Sequence, residues 1–284
     1  MSQYLLLHGW NMVKLSEVYE FTKKPRGLKY LDFERIPFVP MDFVPADGLY
    51  IKNFVLKSAD ELSSGTYFEP GDILIAKITP SFENGKQGII EDLPYPFGIA
   101  TTEVIPVRGI PDVSNKLFLF YYLLRQDIRS ELASKMDGST GRQRLSKSAL
   151  ENLDLPLPPL QEQRAIAHVL RTTQEAKEAR LKELALERER KAALMEHLFT
   201  HGTRGEPTKQ TELGELPESW KIIELNEACE FLQYGTSKQC DEDTSGIPVL
   251  RIPNIINGKV NIHELKFIKL PEDSYKLIIE SIIY

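Results

Sequence analysis

Apolar residues fall in short runs over the first half of the chain and thin to a narrow stripe beyond it. The runs Ile36–Val39, Ile73–Ile78, Gly88–Ile90 and Glu103–Val107 are bounded by proline or glycine and predict strands. "EPGD" (Glu69–Asp72) is a turn feeding the apolar strand "ILIAKI". A helix is predicted to start near Ser114 or Asn115, either of which can cap it, and to run to about Met136. The polar, glycine-punctuated stretch Met136–Ser148 follows as a loop. "ALENLDLPLP" then adds a helical turn and an extended exit. Residues 1–154 thus read as one mixed α/β domain.

Pro158 and Pro159 cannot lie inside a helix but can open one. From Leu160 to about Phe199 there is no glycine or proline, and about 1.5 Å of rise per residue predicts a helix of roughly 60 Å. Glu162 falls in the first turn, where the helix dipole favours an acid. The stripe runs through Ile166, Leu170 and Thr173, then Leu181, Leu184, Met195 and Phe199. It shifts once and is narrow, the pattern of a coiled-coil seam rather than of a helix sunk in a core. Ile166, Leu170, Leu181, Leu184 and Met195 are the expected helix-interface residues, against a helix of this chain or of another. Glu178 with Lys182 and Glu187 with Lys191 are i,i+4 pairs expected on the solvent side. "HGTRGEPT" (His201–Thr208) ends the helix and reads as a linker.

The chain also repeats itself. "WNMVKLSEVYEF" (Trp10–Phe21) matches "WKIIELNEACEF" (Trp220–Phe231) at Trp, Leu, Glu, Glu and Phe, and Ile36-Pro37 recurs as Ile247-Pro248. Each Trp segment opens a similar progression, from an apolar strand through a polar loop to an Ile-Pro strand. A duplication is therefore expected.

At 284 residues and 42% hydrophobic, the chain can bury the cores of about two domains. Cys229 and Cys240 form no CxxC, which suits a reducing setting. Residues 1–12 lack the features of a signal peptide, and the apolar run Leu117–Leu124 is too short to span a bilayer. A cytoplasmic protein with no membrane partner is expected. The net charge of −6 lies wholly in residues 205–284, with eight Lys and Arg against fourteen Asp and Glu; residues 1–150 and 151–204 are each balanced. The acidity therefore does not exclude a local basic face earlier in the chain.

No common catalytic constellation is present. GxxxxGK[ST], HExxH and GxSxG motifs are absent, as is a glycine-rich loop for a methyl-donor or dinucleotide cofactor. The histidines His8, His168, His197, His201 and His263 are scattered; the i,i+4 pair His197 and His201 reads as an exposed helix end. "ELK" (Glu264–Lys266) below Asp241 and Asp243 is a faint nuclease-like set that chance explains better. No metal and no cofactor are expected.

Three polar loops carry a different chemistry. "FTKKPRGLKY" (Phe21–Tyr30) holds Lys23, Lys24, Arg26 and Lys29 with no acid. "KITPSFENGKQG" (Lys77–Gly88) gathers Lys77, Thr79, Ser81, Asn84, Lys86 and Gln87 around two glycines. "KMDGSTGRQRLSK" (Lys135–Lys147) offers Ser139, Thr140, Arg142 and Arg144, flanked by Lys135 and Lys147, against Asp137 alone. Lys and Arg neutralise phosphates, while Asn, Gln and Arg make bidentate contacts to base edges. These loops are the candidate contacts to nucleic acid.

"GSTGRQRLSKSALENLDLPLPPLQEQRAIAHVL" (Gly138–Leu170) closely resembles the junction between a target recognition domain and its helix in type I restriction–modification DNA specificity subunits. "GDILIAKITPSFENGKQGII" (Gly71–Ile90) is similar to the core of such a domain, and "LGELPESWKIIELNEACEFLQYGTSKQ" (Leu213–Gln239) to the opening of a second one. The resemblance covers most of the chain in the family's order. It implies a mixed α+β target recognition domain over residues 1–156, a long coiled-coil-type spacer helix over 157–202, a linker over 203–218 and an incomplete second recognition domain over 219–284. "SYKLIIESIIY" (Ser274–Tyr284) stands in the place of "TYFEPGDILIA" (Thr66–Ala76) without its Pro-Gly-Asp turn, which implies truncation within that second domain.

The implied role is non-catalytic. The resemblance implies a subunit that directs modification methyltransferase subunits and a restriction and translocation subunit to a site on double-stranded DNA, with a homodimer through the helix also open. An inactive or regulatory chain acting through its helix, or a standalone DNA-modifying enzyme, are the alternatives.

Overall fold

The computed structural model describes residues 9–62, 64–139, 141–229 and 238–269. Two units, residues 1–196 and 197–284, divide the chain. In the first, the order is β1 (Asn11–Lys14), the single turn α1 (Leu15–Val18), β2 (Tyr19–Phe21), β3 (Ile36–Val39), β4 (Val55–Lys57), β5 (Thr66–Phe68), β6 (Ile73–Ala76), β7 (Gln87–Ile89), β8 (Gly98–Ala100), β9 (Val104–Gly109), α2 (Lys116–Leu123), α3 (Gln126–Ala133), α4 (Lys147–Glu151), β10 (Asp154–Leu157) and α5 (Leu160–His201).

Two four-stranded sheets carry this unit, in the orders β2-β9-β6-β7 and β4-β3-β8-β5. The first is antiparallel throughout; the second is mixed, with β3 and β8 parallel. The continuous apolar run of β6 follows from burial on both faces. Ile73 and Ile75 join the core beneath α2, α3 and α4, while Leu74 points the other way, to Phe68, Val39 and Ala100 of the second sheet. Val104 and Ile105 in β9 divide in the same way. Gly98 is required where β8 crosses β5, because a Cβ there would lie 2.4 Å from the Phe68 ring.

The expected helix from Asn115 to Met136 is two helices. Asn115 does cap the first, accepting from the N–H of Phe118, but the chain turns at Leu124, and Arg125 takes an extended conformation before α3. The segment before the break is buried on nearly all sides and the segment after it on one face only. One straight rod would carry the polar side of α3 into the core, so the break is a demand of packing.

β1 and β10 pair antiparallel, Asn11 opposite Leu157 and Lys14 opposite Asp154, bringing the opening and closing strands of the domain together immediately before Pro158. Pro159 then offers its carbonyl to the N–H groups of Glu162 and Gln163. Gln163, buried, accepts from the N–H of Asn115 and donates to the carbonyls of Val113 and Pro158. Trp10 donates to Glu162, and Ile166 packs on the core. Farther along, Lys177 reaches Asp47 at 2.6 Å. From Leu181 to Glu196 every residue is exposed.

α5 has 42 residues, close to the length expected. The expected pairs Glu178–Lys182 and Glu187–Lys191 do not form. Glu178 is half-buried and accepts from Gln174, and the ion pairs are Arg171–Glu175, Arg180–Glu183 and Glu187–Arg190.

The second unit holds the hairpin β11 (Thr208–Thr211) and β12 (Gly214–Pro217) within the stretch read as a linker, then a turn of helix α6 (Leu225–Ala228), β13 (Ile247–Val249), β14 (Ile255–Ile256), β15 (Lys259–Val260) and β16 (Lys266–Ile268). Its local structure repeats the first unit. The helical turn Leu15–Val18 recurs at Leu225–Ala228. β3 pairs with β4 as Ile36↔Lys57, Pro37↔Leu56 and Phe38↔Val55. β13 pairs with β16 as Ile247↔Ile268, Pro248↔Phe267 and Val249↔Lys266, the same register residue for residue. The short 3-10 turn Met41–Phe43 after β3 has its counterpart in Ile252–Asn254 after β13. The segment Ser274–Tyr284, set above beside Thr66–Ala76, lies outside the described residues.

Candidate nucleic-acid interface

Strand direction brings the first two polar loops to one end of the sheet β2-β9-β6-β7, and backbone hydrogen bonds bring the third to them. Phe21 at the close of β2 lies opposite Val107, Ala76 at the close of β6 lies opposite Val104, and Gln87 at the start of β7 lies opposite Ile75. The chain therefore leaves β2 and β6, and enters β7 and β9, at the same edge. The third loop is tied to the second by its backbone. Thr79 donates to the carbonyl of Gln143 at 3.0 Å, and Leu145 to that of Lys77 at 2.7 Å. It closes on itself where Arg144 and Asp137 exchange backbone hydrogen bonds. It meets the first loop through Lys147, whose ammonium lies 5.0 Å from the centre of the Phe21 ring.

The individual side chains divide into free and engaged groups. Lys23, Lys24, Arg26, Ser139 and Arg142 are exposed, and among the described residues Lys23, Arg26 and Arg142 form no ion pair. Lys24 lies 3.8 Å above the Tyr30 ring, which itself packs against Phe97, the residue before β8. Asn84 is exposed; Lys77 and Ser81 are half-buried. Thr79 donates to Glu83. Lys86 donates to the carbonyl of Met41 at 3.1 Å, so its charge is tethered to a neighbouring turn. Thr140 lies outside the described residues.

Arg144 is gripped by Glu103, with its Nε 3.0 and 3.2 Å from the two carboxylate oxygens and a second nitrogen at 2.9 Å. Hydrogen bonding from Arg144 holds the Glu103 carboxyl below the usual range, and the same pair raises Arg144. Gln87 departs from expectation. It is 1% exposed, donates to the carbonyl of Phe120 at 2.7 Å and accepts from Arg129 at 2.9 Å. It is an interior residue at the foot of the loop rather than a surface contact.

Sequence reasoning passed over Arg108, Glu103 and Arg129. Arg108 binds Glu69 and Asp72 at 2.8 Å each and donates to Thr22, which fixes the exit of β2. Burial raises the Asp72 carboxyl, against the pull of the Glu69 N–H and of Arg108. The signal for Arg129 was helical spacing, which puts it on one face with Leu132 and Met136.

The helix-interface set also divides. Ile166 belongs to the domain core. Leu170, Leu181, Leu184 and Met195 are 40–53% exposed, and Leu186 and Leu194, off the stripe, are similarly open. His197 and His201 stack at 4.7 Å. Among the described residues no three His, Cys, Asp or Glu side chains converge as metal ligands do, and no helix is long and apolar enough to cross a membrane. Asp243 is held far below the ordinary range by a hydrogen bond from Lys269, and Glu242 pairs with Lys266. Of the faint nuclease-like set, Asp243 and Lys266 are thus engaged in ion pairs.

The family described as type I restriction modification DNA specificity domain matches residues 8–186. The EcoAI type I restriction enzyme specificity subunit of Escherichia coli is 35% identical over 169 residues, covering 58% of this chain and 28% of that protein. The MjaVIII specificity subunit of Methanocaldococcus jannaschii is 30% identical over 177 residues, 62% of this chain and 40% of that one. The EcoKI specificity subunit of Escherichia coli aligns with 96% of this chain at 23% identity and is 59% covered. The chain thus spans less than two thirds of the length of each of these relatives. Among solved structures, the HsdS subunit from Thermoanaerobacter tengcongensis shares the fold, with a TM-score of 0.56 and 19% identity over 87% of this chain and 62% of that one.

Proposed function

The chain belongs to the type I restriction modification DNA specificity family, and from that premise we propose that it reads DNA sequence for a type I restriction–modification assembly without performing chemistry itself. The observation that carries this reading is the gathering of three polar, acid-poor loops at one sheet end, two of them joined by backbone hydrogen bonds. Such a rigid rim offers exposed Lys23, Lys24, Arg26 and Arg142 to phosphates. Asn84 and Ser81 stand nearby for base edges.

In this reading residues 1–156 are the recognition domain, 157–202 the spacer helix, 203–218 the connection and 219–284 part of a second recognition domain. The repeated register of β3–β4 in β13–β16 supports the duplication. The exposed stripe of α5 from Leu181 to Met195 is the surface for protein partners. These are modification methyltransferase subunits, a restriction and translocation subunit, and a second copy of the chain with its helix antiparallel. The site of action is the cytoplasm, where chromosomal DNA and such enzymes meet.

The test is to express the full chain with a candidate methyltransferase subunit and map methylated bases on genomic DNA. A single recurring sequence motif that disappears on charge reversal of Lys23, Arg26 and Arg142 supports the reading. Co-purification without any sequence-dependent methylation or duplex binding refutes it.

A further inference from the structure

Arg129 is 4% exposed and, among the described residues, forms no ion pair. It lies on α3, beneath the loop Lys77–Lys86. One nitrogen donates to the carbonyl of Phe82 at 2.7 Å, and another to Oε1 of Gln87 at 2.9 Å. The guanidinium carbon stands 4.6 Å from the centre of the Phe82 ring. Gln87 passes the network on, donating from Nε2 to the carbonyl of Phe120 at 2.7 Å. The Phe82 carbonyl also accepts from Gly85 at 2.9 Å, in a tight reversal that glycine permits at φ +80°.

Burying a cation without a carboxylate against it is costly, and an apolar side chain of similar length fills such a space at less cost. Burial pulls the Arg129 guanidinium down to about 10, with the charge of Glu83 opposing, so it remains a cation at neutral pH. Its donors are aimed at oxygens on both limbs of one loop, Phe82 on the outgoing limb and Gln87 on the returning one. The start of the loop is held by Gln143 and Leu145, which bond Thr79 and Lys77. Arg129 supplies the second hold, from beneath. The exposed tip is Glu83 and Asn84, with Ser81 half-buried beside them.

We propose that Arg129 is a positioning residue for the loop Lys77–Lys86, and that discrimination between DNA sequences, more than general affinity for DNA, depends on it. This rests on the DNA-reading function above. Arg129 touches no phosphate from its buried place, so its loss leaves the electrostatic part of binding in place while loosening the groups that face base edges.

The experiment uses the full chain as wild type, Arg129→Met, Arg129→Lys and Gln87→Met. Amide hydrogen exchange is followed at Ser81–Gly85 without DNA. Affinity is then measured for the duplex that the wild type selects from a randomised library and for a scrambled duplex, over a range of salt. Arg129→Met is expected to speed exchange in the loop about tenfold while β6 and β9 stay protected. It is also expected to lower the ratio of selected to scrambled affinity by roughly tenfold, the effect of about one mismatched base pair. The salt slope should not change, and Arg129→Lys should recover part of the ratio.

Unchanged loop exchange overturns the proposal, as does an equal loss on both duplexes with a flatter salt slope. If Arg129→Met does not fold, Gln87→Met, which removes only one limb of the hold, decides by the same two readouts. A wild-type chain that prefers no duplex overturns the DNA-reading premise instead, and the exchange rates still decide whether Arg129 holds the loop.

Discussion

The backbone N–H of Leu145 donates to the carbonyl oxygen of Lys77 across 2.7 Å, and Thr79 bonds Gln143 beside it. Two loops distant in sequence are thereby fixed as one surface, and the cations on it divide by whether another group already holds them. Lys86 and Arg144 are held, by the Met41 carbonyl and by Glu103. Arg142 is not, nor is Arg26 on the neighbouring loop Phe21–Tyr30. Arg142→Glu is therefore expected to weaken duplex binding and flatten the logarithmic salt dependence by about one unit, with the thermal midpoint unchanged. Titrations at several salt concentrations check this. Unaltered affinity after reversal of Lys23, Arg26 and Arg142 together removes this face from the interface.

The grip of Glu103 on Arg144 predicts an acid step. A carboxylate whose folded pKa is depressed contributes fully above its unfolded value, about 4.3, and the contribution is lost as pH falls through the lower folded value. The Arg144 Nε–H signal in nuclear magnetic resonance should thus shift only below about pH 4.3, and Glu103→Gln should abolish that step. At neutral pH the same substitution frees a cation, which should steepen the salt slope of binding by up to about one unit. A wild-type Arg144 signal that is flat to acid, or a Glu103→Gln chain with the wild-type slope, contradicts the pairing.

A feature is legible in the sequence where its cause is local. The run at β6 announced a strand because burial on both faces leaves an unbroken apolar segment. The Trp and Ile-Pro matches pointed to repeated local structure, and β13–β16 does pair in the register of β3–β4. The break at Leu124 left no trace, since "LFLFYYLLRQDIRSELA" has no glycine or proline; the core imposes it. Gln87 read as a surface contact because polarity alone was visible, while its partners Phe120 and Arg129 arrive from far along the chain. The loops themselves were visible as composition, but their meeting at one sheet end comes from strand order for two of them and from long-range backbone hydrogen bonds for the third.

Gln163 joins the N-terminal α/β domain to α5 through three hydrogen bonds that no smaller residue reproduces. Gln163→Ala leaves one N–H and two carbonyls without partners in a mostly buried setting. Each such group costs about 1–3 kcal/mol, with partial relief from entering water. A loss of about 2–4 kcal/mol in the free energy of urea unfolding is expected. Gln163→Glu keeps the acceptor for Asn115 but loses both donors, so it should fall on the same side of wild type. A loss under about 0.5 kcal/mol, the range of ordinary surface changes, would show that the joint does not depend on this side chain.

The outer half of α5 poses the question of what covers it. Leu184 is 48% exposed and Met195 likewise, on a stretch where no residue from Leu181 to Glu196 is buried. Within one chain, then, Leu184→Asp has little to disturb, and the unfolding free energy of the first unit should stay within about 0.5 kcal/mol of wild type. In a pair of antiparallel helices the same position lies in an apolar seam, where an unpaired carboxylate is strongly disfavoured. Sedimentation of the full chain is the measurement: concentration-dependent dimers for wild type, monomers for Leu184→Asp, and an intermediate constant for Leu184→Ala. A dimer of this kind is two-fold, so the DNA site it reads should be an interrupted palindrome, each half contacted by one copy. A wild-type chain that stays monomeric with methyltransferase subunits present removes the dimer. A methylated site with two unrelated halves removes the symmetric arrangement even if α5 does pair.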